Sequence, residues 1–326
     1  MAVSSGDEGT AGGAKIVDVS RRTALTLVGI LVTLTIGVAL GLGLGFGLNH
    51  NGSDSQSPNP PHPTASATWQ PAVNTSWQII LSQELSINHT NPSITPDVEV
   101  FDIDMFVHLN TTIIHDLHKL DKKVICYFSA GSYEPFRRDS DKFQDSDMGN
   151  VLDGWEDEKW LNITSPHVRG IMSDRIDLAA LLGCDAIDPD NMDGYLNDNG
   201  LDITTDEAVD YLKFLADKAK AKNMAIGLKN APDLIPDVLD IVQFSVNEQC
   251  AAQDNCASFS AFIEAGKPVF HIEYPSGAGR NIAASASKRS CTAKDMAGFS
   301  TVMKELKLDA WVEYCDGTRA YTNVVD

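Results

Sequence analysis

The 326-residue sequence has no lysine or arginine between Arg22 and Lys119, and its acidic residues outnumber its basic ones by 45 to 25. The formal net charge of −20 at pH 7 argues against a nucleic-acid partner and against binding to other anionic polymers. The first 48 residues contribute none of this charge, because their acids and bases cancel. The balance favours a neutral or cationic partner, although on charge alone an ordinary acidic secreted protein is the simpler interpretation.

Motifs of several common enzyme classes are also absent. No Gly-x-Gly-x-x-Gly follows a predicted strand, which disfavours an open doubly wound sheet. The sequence has no Gly-x-Ser-x-Gly turn for a serine hydrolase and no His-x-x-x-His spacing for zinc. The acids from Asp188 to Asp193 faintly resemble a calcium loop, but Met192 and Asn199 stand where ligands are needed. We therefore expect no bound metal and no cofactor.

A stretch without charged residues runs from Thr23 to Leu48 and would span about 39 Å as a helix, enough to cross a bilayer. Lys15, Arg21 and Arg22 precede it, which predicts a cytoplasmic N-terminus and a single-pass type II protein of the cell membrane. Its length favours an uncleaved signal anchor over a cleaved signal peptide. We predict a cytoplasmic tail over residues 1–22, a transmembrane anchor over 23–48, an extracellular linker over 49–68 and one folded domain over 69–326.

The cysteines and glycosylation sequons fit an extracellular domain, because all of them follow the predicted anchor. Cys250 and Cys256 flank a short polar loop and are predicted to pair, and Cys291–Cys315 is a second, weaker pairing. The two cysteines that remain lie in strand-like runs and are either buried thiols or a third bridge. The Asn-x-Ser/Thr sequons begin at Asn51, Asn74, Asn88, Asn110 and Asn162.

Apolar runs alternate with amphipathic stretches through the folded domain, which predicts a parallel sheet with helices packed against it. The clearest helix spans residues 204–222 and begins at a capping box of Thr204 and Glu207. Eight strands in roughly 250 residues are typical of a (β/α)8 TIM-type barrel. The predicted strands are 77–81, 98–106, 124–131, 184–190, 224–229, 241–246, 268–274 and 308–314. The long connection over 132–164 is predicted to overhang the site as a lid or substrate wall.

Polar side chains follow most of these strands, at the edge where barrel enzymes collect their reacting groups. Carboxylates stand at the ends of two strands, in the segments 188–193 and 247–249, and this arrangement suggests glycosidic bond cleavage. Taken singly, these residues also have structural explanations, such as a turn at Asp193, and the run 153–159 is most simply a solvated surface. The further candidate substrate-binding residues are Asp102, Asp104, Tyr127, Asp188, Asn191, Asp193, Lys229, Asn247, Glu273 and Tyr274.

Several long motifs occur in an order that resembles glycoside hydrolase family 114, and the resemblance covers nearly all of the domain from about Trp77 onward. The segments that carry it are VICYFSAGSYE at 124–134, DPDNMDGY at 188–195, GLKN at 227–230, VNEQC at 246–250 and EY at 273–274. The resemblance implies a barrel that cleaves α-1,4-linked galactosamine polymers with retention and without a metal. It also implies an Asp nucleophile on strand four and a Glu acid/base on strand six.

These roles fall by motif on Asp190 and Glu248, with Asp188 as the rival nucleophile. Strand alternation puts Asp188 and Asp190 on one side, and we prefer Asp190 because it stands further out toward the cleft. The expected partner is a cationic or neutral aminosugar polysaccharide. The alternatives are a membrane-tethered carbohydrate-binding protein on a degenerate barrel, and a hydrolase of an N-acetylated or neutral α-galactan.

Overall fold

The computed structural model describes residues 68–325. The predicted tail, the predicted membrane anchor over 23–48 and nearly all of the predicted linker lie outside the described residues. Within 68–325, no helix combines the length and the apolar character needed to cross a membrane.

The described chain is built mainly from short strands that alternate with helices. The strands are β1 (Trp77–Ile80), β2 (Val100–Asp104), β3 (Lys123–Ser129), β4 (Ser132–Tyr133), β5 (Met148–Leu152), β6 (Trp155–Leu161), β7 (Ala186–Asp190), β8 (Ala225–Lys229), β9 (Phe244–Glu248), β10 (Val269–Glu273), β11 (Ser300–Met303), β12 (Trp311–Tyr314) and β13 (Arg319–Tyr321). The helices are α1 (Ile113–Lys119), α2 (Pro166–Leu182), α3 (Thr205–Ala221), α4 (Ile235–Val238), α5 (Cys250–Gln253), α6 (Ser260–Glu264) and α7 (Ala284–Thr292).

Ten of these strands form one curled, mixed sheet in the order β1-β2-β3-β7-β8-β9-β10-β11-β12-β13. Neighbours from β1 to β11 pair in parallel, whereas β12 and β13 add to the edge in antiparallel fashion. The sheet curls enough for the Trp77 Nε1 of β1 to donate to the Ser300 carbonyl of β11 at 2.7 Å. The result is an α/β barrel-like fold whose parallel strands all end at one edge.

The prediction for the last strand of the barrel was wrong. The predicted strand over 308–314 contains β12, which runs antiparallel to its neighbour, and the eighth parallel strand is β11. β11 escapes detection because it has only four residues, two of them Ser300 and Thr301, and therefore lacks an apolar run. The other seven predicted strands each overlap a parallel strand of the sheet.

Side chains alternate between two apolar layers, as the period of a strand requires. Ile79, Val100 and Ile125 belong to an interior cluster enclosed by the curled sheet. Residues one position away, such as Ile80 and Phe101, pack in the larger cluster toward the helices. Residues two or four positions after Val100 and Ile125 therefore also face the interior. The polar side chains at the ends of the strands, described below, lie on this interior face.

The best-defined helix and the cysteine bridges agree with the sequence. In α3, Thr204 and Glu207 form the predicted capping box, in which each side chain accepts the backbone N–H of the other residue. The predicted bridges Cys250–Cys256 and Cys291–Cys315 are both present. The remaining pair, Cys126–Cys184, forms a third bridge, which was one of its two predicted states.

The predicted lid over 132–164 contains a small antiparallel sheet in the order β4-β6-β5. Its base is tied to the barrel-like sheet, because Leu161 N–H donates to the Gly131 carbonyl at 2.8 Å just beyond β3. Its outer hairpin carries Trp155, which is 54% exposed. The segment is therefore an ordered structure attached to the edge where the parallel strands end.

Candidate active site

Lys229, the last residue of β8, lies between two carboxylates from the neighbouring strands. Its Nζ is 3.1 Å from Asp190 Oδ2 and 3.4 Å from Glu248 Oε2. The lysine side chain is only 2% exposed. Burial opposes its charge, but Asp190, Glu248 and Asp188 together outweigh burial and raise the pKa of Lys229 well above its ordinary value. The lysine therefore remains an ammonium ion that pairs with both acids.

Asp190 ends β7 and is held by three donors while its side chain stays 18% exposed. Tyr127 OH donates to Oδ2 at 3.0 Å, and Asn191 N–H donates to Oδ1 at 2.7 Å. The third donor is Lys229. Hydrogen bonds of this kind favour the charged form of a carboxyl group. The site therefore presents Asp190 as an accessible carboxyl group whose orientation is fixed by three donors.

The turn after β7 fits closely against the end of β3. The backbone N–H groups of Ala130 and Gly131 both donate to the Asp190 carbonyl. A Cβ at Gly131 would lie 1.8 Å from the Asn191 carbonyl oxygen, so glycine is required at this contact. Asn191 itself adopts a left-handed backbone conformation, with φ of 60°. This packing fixes the direction in which Asp190 leaves the strand.

Glu248 ends β9 and is held by a matching set of donors. Asn230 Nδ2 donates to Oε2 at 3.0 Å, and the same side chain accepts Glu248 N–H at 2.8 Å. Tyr274 OH donates to Oε1. Burial and the neighbouring Glu248 raise the pKa of Tyr274 well above its ordinary value, so the phenol stays protonated. Glu248 is 23% exposed and faces the same opening as Asp190.

The shared lysine limits how far apart the two carboxylates can lie. Two atoms at 3.1 and 3.4 Å from one nitrogen are at most about 6.5 Å apart, which is the lower limit for inverting enzymes. Retaining enzymes hold their carboxyl groups at about 5 to 5.5 Å. The bound applies to the two oxygens nearest Lys229 Nζ, and it is compatible with the spacing of a retaining pair.

Asp102 and Asp188 lie deeper on the same interior face. Both are fully buried, and none of their carboxyl oxygens accepts a hydrogen bond from a donor among the described residues. Burial raises the pKa of Asp188 to about 7, against the opposing effect of Lys229. Neither group has the exposed surface that direct contact with a polymer would need.

Asp104 and Asp193 are two further acids that the sequence predicts to bind substrate. Asp104 is 2% exposed and pairs with Arg137 Nη1 at 2.6 Å, and the same guanidinium also contacts Glu134. Its charge is therefore already neutralised within the protein. Asp193 is half-buried, and burial together with Asp190 raises its pKa to about 6. Asp193 is thus the more available of the two for a cationic substrate.

Two predicted substrate residues point away from this cluster. Asn247 precedes Glu248 on β9, and Glu273 precedes Tyr274, so strand alternation turns both toward the helices. Glu273 Oε1 accepts Ala251 N–H at 2.9 Å and lies 3.0 Å from His271 Nε2. Asn247 is 3% exposed. The prediction that they bind substrate therefore needs correction, because their strands place them on the opposite face.

Two residues that complete the site are not among the predicted site residues. Asn230 orients Glu248, and the sequence marks it only as the last residue of the GLKN segment. Glu158, on β6 of the small sheet, accepts a hydrogen bond from the Ser132 hydroxyl group at 2.7 Å. Burial raises the pKa of Glu158 to about 7. It lies in the run 153–159, which the sequence pattern predicts to be solvated surface. Its approach to the site depends on the fold of the lid.

One group of metal-ligand residues comes together among residues 68–325. Cys250, Cys256 and His271 offer atoms within 4.8 Å of one another. The two cysteines are joined in a disulfide, so neither has a thiolate to offer a metal ion.

A parallel barrel-like sheet with two accessible carboxylates at one edge is an arrangement that glycoside hydrolases use. The chain belongs to glycoside hydrolase family 114, whose family model matches residues 58–320. A crystal structure of Aspergillus fumigatus Ega3 in complex with galactosamine is 50% identical, covers 78% of this chain and 100% of its own, and has a TM-score of 0.72.

A more distant similarity extends to the glycoside hydrolase domain of PelA from Pseudomonas aeruginosa, at 13% identity and a TM-score of 0.55. It covers 72% of this chain and 96% of the PelA domain, and it supports the fold alone. No curated protein matches the sequence.

Proposed function

We propose that this protein is an endo-acting, retaining glycoside hydrolase that cleaves α-1,4-galactosamine linkages in a galactosamine-containing polysaccharide such as galactosaminogalactan. The observation that carries the proposal is the pair of accessible carboxylates, Asp190 and Glu248, joined through Lys229. Family membership supports the reaction class. The galactosamine bound to the half-identical Ega3 supports the sugar.

Asp190 is the proposed nucleophile and Glu248 the proposed acid/base. In the first step Asp190 attacks the anomeric carbon, while Glu248 gives its proton to the glycosidic oxygen of the leaving chain. In the second step Glu248 takes a proton from water, and that water releases the sugar from Asp190. Asp190 is preferred over Asp188 because it is exposed and held by three donors, whereas Asp188 is fully buried.

Lys229 gives this cycle a constant counter-ion. Before the reaction its ammonium group pairs with the ionised Asp190. Once Asp190 has become a neutral glycosyl ester, Glu248 has lost its proton and carries the negative charge instead. Because Nζ reaches both groups, the lysine has a negatively charged partner in each state and needs no large movement.

The substrate class follows from the charges around the site. Glu158 and Asp193 approach the opening, and Arg137 is already paired with Asp104 and Glu134. A deacetylated galactosamine chain carries ammonium groups, which favour the ionised form of both carboxyl groups and can pair with them. The net charge of −20 attracts the same polymer over a longer range.

The domain should be expressed from about residue 65 and assayed for reducing ends on deacetylated and acetylated galactosamine polymers. We expect the wild type to prefer the deacetylated polymer, and Asp190→Asn and Glu248→Gln to lose at least about a thousand-fold in kcat. Glu264→Gln, which neutralises an exposed carboxylate at the end of α6, is the control and should remain active. Full activity of either carboxylate variant refutes the role of that residue.

We also propose that the full chain is anchored in the cell membrane with this domain outside. The uncharged stretch 23–48, the three bridges and the exposed sequons at Asn74, Asn88 and Asn110 support this arrangement. In cells, the full chain should fractionate with membranes and lose mass on deglycosylation. Recovery of the unglycosylated chain from the cytosol refutes the arrangement.

We further propose that the parallel strands close as a (β/α)8-type barrel. The contact between Trp77 of β1 and Ser300 of β11 supports this closure. Amide exchange should then protect β1 and β11 as strongly as the central strands, and rapid exchange in both would contradict closure.

A further inference from the structure

Two carboxyl groups that the mechanism above does not use lie beneath Lys229. Asp102 on β2 and Asp188 on β7 flank β3, because Asp102 is in register with Ile125 and Asp188 with Tyr127. Both are fully buried on the interior face. They are close enough for the charge of Asp188 to raise the pKa of Asp102. Their four carboxyl oxygens have no hydrogen-bond partner among residues 68–325.

A hydrogen bond between two carboxyl groups requires a proton on one of them, since ionised carboxylates only accept. Among the described residues, no N–H or O–H group donates to any of their four oxygens. Two buried carboxylates close together without a donor would combine the cost of desolvation with that of repulsion. One shared proton removes the repulsion and provides the missing donor.

We propose that Asp102 and Asp188 hold one proton between them and act as positioning residues, with Asp102 as the acid and Asp188 as the carboxylate that supports the Lys229 ammonium. The reaction that the pair assists is the one proposed above, so its catalytic consequence rests on that function. The pair contributes a single negative charge beneath the lysine. This charge stabilises the Lys229 ammonium group in its position between Asp190 and Glu248. The pair itself is buried and does not contact the polymer.

The ionisation of the two groups agrees with this assignment. Burial, followed by the charge of Asp188, raises the pKa of Asp102 well above its ordinary value. Burial raises the pKa of Asp188 to about 7, so Asp188 is the first of the pair to ionise. The charged groups that face them are Lys229 on β8, Asp190 on β7 and Glu248 on β9. Lys229 is the cation among these, and it favours the ionised form of Asp188.

Asparagine has nearly the same shape as aspartate but carries no charge. Asparagine variants of Asp102 and Asp188 therefore show whether the shape of the pair or its charge affects kcat. In Asp102→Asn, the amide replaces the acid and donates to an ionised Asp188, so kcat should stay within about three-fold of the wild type. In the double variant with Asp188→Asn, two amides can still bond to each other, but the charge is lost. We expect kcat to fall at least about ten-fold with little change in KM, because the pair acts through Lys229.

The control is Asp116→Asn, which alters another buried acid, on α1, and should lower stability while leaving kcat and KM unchanged. Wild-type kcat in the double variant would overturn the positioning role. Equal losses of kcat in the single and double variants would also overturn it, because the effect would then come from the shape of the pair and not from its charge.

Infrared difference spectra test the proton without using activity. With carbon-labelled aspartate at about pH 8, where ordinary aspartates are ionised, the wild type should show a protonated carboxylic acid band that Asp102→Asn lacks. Absence of the band refutes the shared proton even in an active enzyme. A band in a wild type that fails to cleave the polymer would instead refute the proposed function and leave the pair intact.

Discussion

At the scale of single residues, Lys229 is the group on which both reacting carboxylates depend. Lys229→Met keeps the length of the side chain but removes the ammonium group from Asp190 and Glu248. We expect kcat to fall at least about a hundred-fold, because neither charged state of the cycle retains its counter-ion. Steady-state kinetics on the deacetylated polymer measure this loss.

Lys304→Met is the matched control, because Lys304 is also a fully buried lysine. It donates to Gln78 Oε1 and the Asp309 carbonyl, which are not part of the site. Its replacement should lower the free energy of unfolding and leave kcat within a few-fold of the wild type. Equal kcat losses in the two variants would mean that Lys229 acts through stability rather than charge.

The residue scale also shows what strand-end patterns can predict. Asp190, Glu248, Lys229 and Tyr274 are predictable because each follows an apolar run at the correct edge. The same pattern misplaces Asn247, although strand periodicity contains the answer, since neighbours on one strand cannot both face the interior. With Glu248 on the interior face, alternation along β9 turns Asn247 toward the helices.

At the scale of elements, the loop after β9 is closed by the Cys250–Cys256 bridge, directly beyond Glu248. Replacing both cysteines with serine should lower the free energy of unfolding by about 2 kcal/mol. We also expect the folded variant to lose activity, because the loop that follows the acid/base becomes less constrained. Thermal unfolding and kcat are to be measured on the same preparation.

The bridge Cys291–Cys315 provides the comparison, because it joins α7 to the end of β12, outside the site. Its removal should cost about 3 kcal/mol, since the closed loop is longer, with kcat preserved at temperatures where the variant stays folded. Unchanged kcat after loss of Cys250–Cys256 would show that this loop does not position Glu248.

Elements are predictable where local signals are strong. The capping box marks the start of α3, and apolar runs mark seven parallel strands. β11 and the lid sheet escape prediction because their residues are stabilised by tertiary pairing rather than by their own pattern: β11 is short and partly polar, and β6 is mostly charged. The approach of Glu158 to the site depends on that pairing, so no local pattern predicts it.

At the scale of the whole molecule, the raised pKa values of Asp188, Asp193 and Glu158 predict an unusual dependence of stability on pH. Between about pH 4 and pH 7 the folded state keeps protons that the unfolded chain has released. The contribution of these three groups to the free energy of unfolding is therefore present at low pH and is lost as the pH rises to about 7. Urea unfolding should show the free energy falling from about pH 5 to pH 7.

Lys304 gives the opposite trend above that range. Burial lowers its pKa to about 7, so the unfolded chain binds the extra proton between about pH 7 and 10. Its contribution to stability grows as the pH rises through this range. Asp102 opposes this gain, because it still keeps its proton in the folded state above pH 7. The fall in stability below pH 7 should therefore level off, and a steady rise from pH 5 to pH 8 would contradict the assignment.

The central claim for the molecule is that Asp190 forms a covalent bond to the sugar. Glu248→Gln should be incubated with a galactosaminyl fluoride, whose leaving group needs no acid, and then digested for peptide mass spectrometry. The account predicts that a galactosaminyl ester accumulates on Asp190, because the base that activates water is missing. An ester on Asp188, or release of a product of inverted anomeric configuration without any ester, would contradict it.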